Sequence, residues 1–125
     1  MKTNNINPLI LAYLGDAIYE LEIRKYLIFQ GIQKVKLLQE ASEKYVSATA
    51  QAYKLKELID QNFFSEQEIE IIKRARNTKE GSRRKTNVIA HKLSTGLESL
   101  FGSLYLENNY QRIEEIISKI VGEIC

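Results

Sequence analysis

Apolar residues recur every three or four positions through most of the chain, which is the spacing that places them on one face of an α-helix. The first such segment opens at Asn7 and Pro8, where asparagine can cap free amide groups and proline lacks the amide that would stay unpaired. We expect a long helix from there to about Phe29, with Gly31 ending it. Its predicted core stripe comprises Leu11, Leu14, Ile18 and Leu21.

The middle of the chain continues the helical pattern. A stretch from about residue 34 to residue 59 is predicted to be helical, with a break between Ser42 and Thr49. Its expected core positions are Val35, Leu38, Tyr45, Val46 and Leu55. Ser65 and Glu68 then form a capping-box pattern, which predicts the start of a short helix. The buried side of that helix is expected to carry Ile69, Ile71 and Ile72.

Two more apolar stripes follow, and the pair Asn108-Asn109 separates them. The first consists of Leu93, Leu97, Leu100, Phe101 and Leu104, and the second of Ile113, Ile116, Ile117, Ile120 and Ile124. No alternating run bounded by turns predicts a strand. Because 125 residues suit one ordinary domain, the pattern predicts a single all-α domain over 1–125, a bundle of five to seven helices.

Composition excludes several classes of function. With 44% hydrophobic and 27% charged residues, the sequence is typical of a soluble globular protein, and no apolar run is long enough for a membrane span. The start lacks a signal-peptide pattern, so we expect a cytoplasmic protein. The only cysteine is Cys125, which gives no support to a disulfide, a thiolate metal cluster or a cysteine nucleophile. No glycine-rich phosphate loop or dinucleotide fingerprint predicts a nucleotide cofactor.

Positive charge is concentrated in one segment. The chain carries a net charge of +2, but the stretch 73–85 has seven basic residues and one acid, so it is +6 and the remainder is −4. The basic residues are Lys73, Arg74, Arg76, Lys79, Arg83, Arg84 and Lys85. Residues 77–87 contain no apolar side chain, which predicts an exposed, mobile loop. This segment is either a phosphate-binding surface, as in nucleic-acid-binding proteins, or a solvated basic loop.

Two carboxylates lie inside strongly apolar helical segments, where a charge is expensive to bury. They are Asp16 and Glu98, and small residues surround both. Those small residues are Gly15, Ala17, Gly96, Ser99 and Gly102, which would let the two helices approach closely. An ion such as Mg²⁺ prefers oxygen ligands and needs only one or two carboxylates. Spacing alone leaves open that each acid is a solvated or capping residue.

Glu20 lies one helical turn after Asp16 on the same face. It has three interpretations: an auxiliary metal ligand, a group that contacts the metal ligands without binding the metal, or the partner of Arg24 at the next turn. The spacing of four residues favours the pair with Arg24.

These motifs resemble the ribonuclease III catalytic domain. The stretches 14–17 (LGDA) and 98–106 (ESLFGSLYL) are similar to its two acidic motifs. The similarity is closer to the Mini-ribonuclease III subfamily, through residues 12–20 (AYLGDAIYE), 74–79 (RARNTK) and 94–98 (STGLE). The three motifs occur in the order expected, and the resemblance extends from about Asn7 to the final helix.

The resemblance implies the helical bundle of the ribonuclease III endonuclease domain, acting as a homodimer without a separate double-stranded-RNA-binding domain. Asp16 and Glu98 would hold Mg²⁺, with Mn²⁺ able to substitute, for cleavage of double-stranded RNA to 5′-phosphate and 3′-hydroxyl ends. The seven basic residues would contact RNA phosphates. The implied role is maturation of the large-subunit (23S) ribosomal RNA precursor. Ala12 and Thr95 stand where full-length enzymes carry acids, which leaves the number of metal ions open.

Two interpretations compete with a nuclease. A catalytically silent ribonuclease III-like domain, serving as an RNA-binding or ribosome-associated module, would share the fold and the basic segment. Such a domain is expected to have lost one of the two acids, whereas this chain keeps both Asp16 and Glu98. A plain helical module that binds RNA or protein is the further alternative.

Overall fold

The fold is known from a computed structural model, which describes residues 2–78 and 88–122. Within those ranges it contains six α-helices and no strand, as the all-α prediction requires. The helices are α1 (Pro8–Phe29), α2 (Val35–Val46), α3 (Ala48–Asp60), α4 (Glu66–Asn77), α5 (Val88–Leu106) and α6 (Tyr110–Val121). None of the six helices is long and apolar enough to cross a membrane.

Local capping sets the helix ends where the sequence predicted them. The Asn7 side chain accepts a hydrogen bond from the Leu9 amide at 2.8 Å, and Pro8 is the first residue of α1. Gly31 follows the end of α1 with a φ of +91°, a conformation that suits glycine. The expected break in the middle stretch is at Ser47, whose hydroxyl caps α3.

The capping box of α4 is present as predicted. The Ser65 hydroxyl accepts from the Glu68 amide at 3.1 Å, and a Glu68 carboxylate oxygen accepts from the Ser65 amide at 2.9 Å. Asn109 caps α6 in a similar way by accepting from the Arg112 amide. The sequence therefore specifies four of the six helix starts through contacts that span three residues or fewer.

Helix α5 is the central element and packs against α1, α3 and α4. Its contact with α1 is at backbone distance: a Cβ atom on Gly15 would lie 1.6 Å from the Glu98 carbonyl oxygen, and one on Gly102 would lie 2.0 Å from the Leu11 carbonyl oxygen. Only glycine fits at both positions. The expected close approach of the two helices is thus confirmed for Gly15 and Gly102. Gly96 instead faces Ile72 of α4, and Ala17 is exposed.

Two predicted core positions were wrong. Leu21 is 55% exposed and Val35 is 68% exposed. Helix α1 is apolar on more than one face, and it is the face carrying Leu11, Ile18 and Ile23 that packs on α5, so Leu21 points away from the core. Helix α2 buries no residue fully, because it covers the edge of the bundle. Ile124 lies outside the described residues.

Candidate active site

The contact between α1 and α5 brings the two predicted acids together. Gly15 sits against the backbone of Glu98, so the next residue of α1, Asp16, lies beside the Glu98 side chain. The charge of Asp16 acts on Glu98, so the two carboxyl groups lie close together. Asp16 is exposed and Glu98 is partly buried, so the pair opens to solvent on the Asp16 side.

Burial and neighbouring acids raise the pKa of Glu98 to about 8. Loss of solvation is the largest cause. The hydrogen bond from Gln51 acts in the opposite direction, while the charge and hydrogen bond of Asp16 and the charge of Glu20 raise the pKa further. In the described part of the chain, the side chains that act most strongly on Glu98 are Gln51, Asp16 and Glu20, none of which is cationic. The arrangement can therefore accept a cation from outside the chain.

Gln51 of α3 is a site residue that the sequence analysis missed. Its side chain is 1% exposed, and its Nε2 donates to Glu98 Oε2 at 3.1 Å and to the Val46 carbonyl at 3.0 Å. Gln51, Leu55 and Leu58 recur with helical spacing and are all buried. A glutamine in phase with core leucines was the available signal, since a polar residue at a core position needs partners.

Tyr19 of α1 forms the wall of the site toward the core. It is fully buried, its hydroxyl donates to the Tyr45 carbonyl at 2.8 Å, and its ring packs on Phe101 with centroids 5.4 Å apart. Burial, followed by the charge of Glu98, raises the pKa of Tyr19. The phenol therefore stays neutral and contributes bulk and a fixed hydrogen bond to the packing behind the acids.

Glu20 forms the ion pair that the sequence favoured. A guanidinium nitrogen of Arg24 lies 3.1 Å from Glu20 Oε1, and both side chains are solvent-accessible. Its charge still reaches Glu98, since it contributes to the raised pKa of that residue. A ligand role for Glu20 stays a prediction.

The donor set suits a hard cation, because carboxylate oxygens are the ligands that Mg²⁺ prefers. In residues 2–78 and 88–122, no three side chains of the types His, Cys, Asp and Glu are grouped closely enough to hold a metal ion by themselves. Two carboxylates, Asp16 and Glu98, are nevertheless in mutual contact. A site of this kind would leave several coordination positions to water and to substrate oxygens.

Three of the seven predicted RNA-binding residues lie in α4, within the described part of the chain. Lys73 is exposed, while Arg74 donates to the Ile6 carbonyl at 3.5 Å and Arg76 donates to Asn77 Oδ1 at 3.5 Å. The other four, Lys79, Arg83, Arg84 and Lys85, lie outside the described residues. So does most of the predicted mobile loop, of which only Asn77 and Thr78 are described, at the end of α4.

A basic groove adds two cations that the sequence analysis did not single out. The groove has a volume of about 500 Å³ and brings Lys56 of α3, Arg76 of α4 and Lys92 of α5 to one surface. Its other lining residues are Ile59, Asp60, Asn77, Ile89 and Leu93. Lys56 and Lys92 are isolated in the sequence, so only the packing of three helices gathers them with Arg76.

Comparisons with known proteins agree with this geometry. Residues 9–109 match the Ribonuclease III domain. Mini-ribonuclease 3 of Staphylococcus aureus is 39% identical over 117 residues, covering 93% of this chain and 87% of that protein. Mini-ribonuclease 3 of Streptococcus pneumoniae is 37% identical over 122 residues, covering 97% and 95%. A crystal structure of a Fusobacterium nucleatum protein superposes with a TM-score of 0.84 at 34% identity, covering 95% of this chain and 96% of that one.

The fold and the site together define a structural class: an all-helical bundle in which two helices in backbone contact each carry one acid of a pair. The chain belongs to the ribonuclease III domain family, and its near-full-length similarity to Mini-ribonuclease 3 proteins places it in that branch. The resemblance found in the sequence motifs is thereby confirmed.

Proposed function

We propose that this protein is a Mg²⁺-dependent endoribonuclease that cleaves double-stranded RNA. Membership of the ribonuclease III domain family supports the reaction class. The observation that carries the proposal is the packing of Gly15 against the Glu98 backbone, which places Asp16 and Glu98, two acids from separate helices, beside each other. Such a pair is a suitable binding site for a divalent cation.

In this proposal Asp16 and Glu98 hold the ion, which is Mg²⁺ or, as a substitute, Mn²⁺. When bound, the ion would activate a water molecule and stabilise negative charge on the scissile phosphate. Exposed Asp16 leaves the site open to the substrate, and buried Tyr19 closes it toward the core. Glu20 adds negative charge that attracts a cation. We expect products with 5′-phosphate and 3′-hydroxyl ends.

Positive charge supports an RNA substrate. Lys73 and Arg76 of α4, together with Lys56 and Lys92 around the basic groove, offer phosphate contacts on the described surface. Contacts of this kind recognise the A-form backbone more than the base sequence and weaken with salt. The four basic residues of the segment 79–87 would extend this surface.

A homodimer is the assembly we propose, and the second apolar face of α1 supports it. Ile10, Tyr13, Leu21 and Ile28 are all more than half exposed and recur with helical spacing. Beside them lies a groove of about 600 Å³ between α1 and α2, whose lining is half apolar, including Ile28 and Val35, and half polar or charged. A second copy would cover this face, and two-fold symmetry would direct one acidic site to each RNA strand.

Maturation of the 23S ribosomal RNA precursor and a cytoplasmic location stay predictions from the sequence. The competing proposal is a catalytically silent module that binds RNA or the ribosome. A silent module would use the basic groove as the nuclease would, but it would not need the paired acids Asp16 and Glu98.

Cleavage of a duplex RNA by the purified protein tests the proposal. We expect Mg²⁺-dependent cleavage that EDTA abolishes, and a loss of about a thousandfold in Asp16→Asn and Glu98→Gln, since each removes one ligand charge. Glu114→Gln, an exposed change on α6, is the matched control and should retain wild-type activity. Full activity in either acid variant would overturn the assignment of the site. RNA binding without cleavage by the wild-type protein would favour the silent module.

A further inference from the structure

Among the described residues, Gln51 is the side chain that links Glu98 of the acidic pair to α3 by a hydrogen bond. Its amide nitrogen carries two N–H groups. One is directed to Glu98 Oε2 at 3.1 Å and the other to the Val46 carbonyl at 3.0 Å. With 1% of its surface exposed, the side chain is enclosed by its neighbours. Both donors are therefore committed, and the orientation of Glu98 depends on them.

The contact with Val46 gives this arrangement a rigid base. Val46 is the last residue of α2, and its carbonyl has no donor four residues further along that helix because Ser47 interrupts the helix. Gln51 supplies the missing donor from the first turn of α3. A backbone atom at the α2–α3 junction thus fixes an amide that in turn fixes a carboxylate on α5.

The neutrality of Gln51 matters for a cation site. A lysine or arginine at this position would donate to Glu98 equally well, but its charge would neutralise the carboxylate and compete with a metal ion. An amide donates without adding charge. Oε2 is held from one side by a neutral donor, so the ionised carboxylate keeps its full charge for a cation.

An unpaired atom argues against packing as the only role of Gln51. Its Oε1 is buried and has no hydrogen-bond partner among the described residues. A buried acceptor without a partner costs free energy that leucine or methionine would avoid. This cost is offset if the amide is needed for what its nitrogen does at Glu98.

We propose that Gln51 is a positioning residue that holds the Glu98 carboxylate in the orientation that binds the divalent cation. The inference rests on the proposed function, because it concerns the metal site of that function. Its own content is that metal affinity depends on a neutral donor on α3, which is not itself a ligand.

Gln51→Met tests this inference, since methionine matches the length and volume of glutamine but cannot donate. Gln111→Met, an exposed change on α6, is the matched control. Mn²⁺ binding is measured by electron paramagnetic resonance of the free ion. We expect the dissociation constant of Gln51→Met to rise about tenfold, as for other residues that orient metal ligands, and that of the control to equal wild type. Thermal unfolding in EDTA measures the loss of stability from the unpaired Val46 carbonyl separately from the metal effect, and we expect a cooperative transition in both variants.

Activity gives a second readout that a packing role would not produce. We expect Gln51→Met to need about tenfold more Mg²⁺ for half-maximal cleavage, with little change in the KM for RNA. Wild-type metal affinity and a wild-type Mg²⁺ requirement in a folded Gln51→Met protein would overturn the inference while leaving the proposed function intact. A wild-type protein that binds no Mn²⁺ would overturn both.

If Gln51→Met does not fold, a Mg²⁺ titration of the wild-type protein tests the inference instead. Nuclear magnetic resonance follows its glutamine side-chain amides during a Mg²⁺ titration. We expect the Gln51 amide to shift along the same saturation curve that calorimetry gives for Mg²⁺ binding, whereas the Gln111 amide stays unmoved. A Gln51 amide that does not respond to saturating Mg²⁺ would overturn the inference.

Discussion

Glu68 and Glu98 are two glutamates in the interior of the same bundle, and their surroundings are opposite. Burial by itself would raise the pKa of Glu68, but hydrogen bonds and the charge of Arg112, together with hydrogen bonds from Ser65, hold it below its ordinary value. Burial also dominates at Glu98, where the hydrogen bond from Gln51 opposes it and neighbouring acids add to it, so the pKa of Glu98 reaches about 8. One carboxylate is neutralised within the chain, and the other is left to be neutralised from outside.

The Glu68 region is built for stability. Arg112 of α6 donates to both Glu68 oxygens at 2.8 Å and to the Phe63 carbonyl at 3.0 Å, and its guanidinium lies 4.3 Å from the centre of the Phe63 ring. The hydrogen bonds to Glu68 also raise the pKa of Arg112. Because Glu68 also completes the capping box, this ion pair fixes the start of α4 against α6.

The difference between the two glutamates shows how a structural buried acid can be distinguished from a functional one. An acid whose charge and oxygens are satisfied inside the chain is structural, whereas an acid that is partly buried beside other acids, with a neutral donor only, is costly to the fold. Such a cost is maintained where a ligand relieves it. Three predictions test this comparison and a fourth tests the basic groove, ordered by the size of the expected effect.

Breaking the satisfied pair should give the largest loss of stability. Arg112→Met keeps much of the side-chain volume but leaves Glu68 without its cation, and we expect the free energy of unfolding at pH 7 to fall by about 3 kcal/mol. Urea denaturation measures it. Arg24→Met, which removes the solvent-accessible pair with Glu20, is the control and should cost less than about 1 kcal/mol. Equal losses in the two variants would contradict the structural role of Glu68.

Removing the charge of Glu98 should raise the free energy of unfolding, whereas the loss of Arg112 lowers it. In EDTA, the native state holds a proton on Glu98 between pH 4.5 and about 8 that the unfolded chain releases, so stability should fall as pH rises through this window. Glu98→Gln should flatten that slope and be about 2 kcal/mol more stable than wild type above pH 8. Asp16, Glu20 and Tyr19 face the Glu98 carboxyl group and can contribute to the slope. Glu114→Gln, which removes an exposed acid on α6, is the control.

Saturating Mg²⁺ should reverse this result. Binding to the native state would stabilise the wild-type protein, whereas Glu98→Gln would gain little. Chemical denaturation over pH 5 to 9, with EDTA and with Mg²⁺, measures both effects. A wild-type stability that does not change with pH in EDTA would remove the contrast between the two glutamates.

The basic groove should give the smallest effect, because each lysine there contributes a surface contact. We expect the double variant Lys56→Ala, Lys92→Ala to weaken duplex RNA binding and to lower the slope of log affinity against log salt by about one to two. Lys25→Ala, Lys44→Ala changes two lysines elsewhere and is the control. The unfolding free energy of both double variants should equal wild type. An unchanged salt slope would remove the groove from the RNA contact.

Sequence patterns predicted the acids but not their neighbours. Asp16 and Glu98 stood out because charge is rare among apolar and small residues, and Gly15 and Gly102 indicated the close approach of their helices. Gln51 was missed because a glutamine on a helix resembles a surface residue until its neighbours in space are known. Its bond to Glu98 spans 47 positions along the chain.

By itself the sequence determined several helix starts, a break between Ser42 and Thr49 and the two acids, because capping and periodicity act between residues that are close along the chain. Only the tertiary structure decided which apolar face of α1 is buried, which places Leu21 outside the core. It also decided that Glu68 meets Arg112 while Glu98 meets Gln51 and Asp16. Burial and electrostatics depend on distance in space, and folding alone sets that distance.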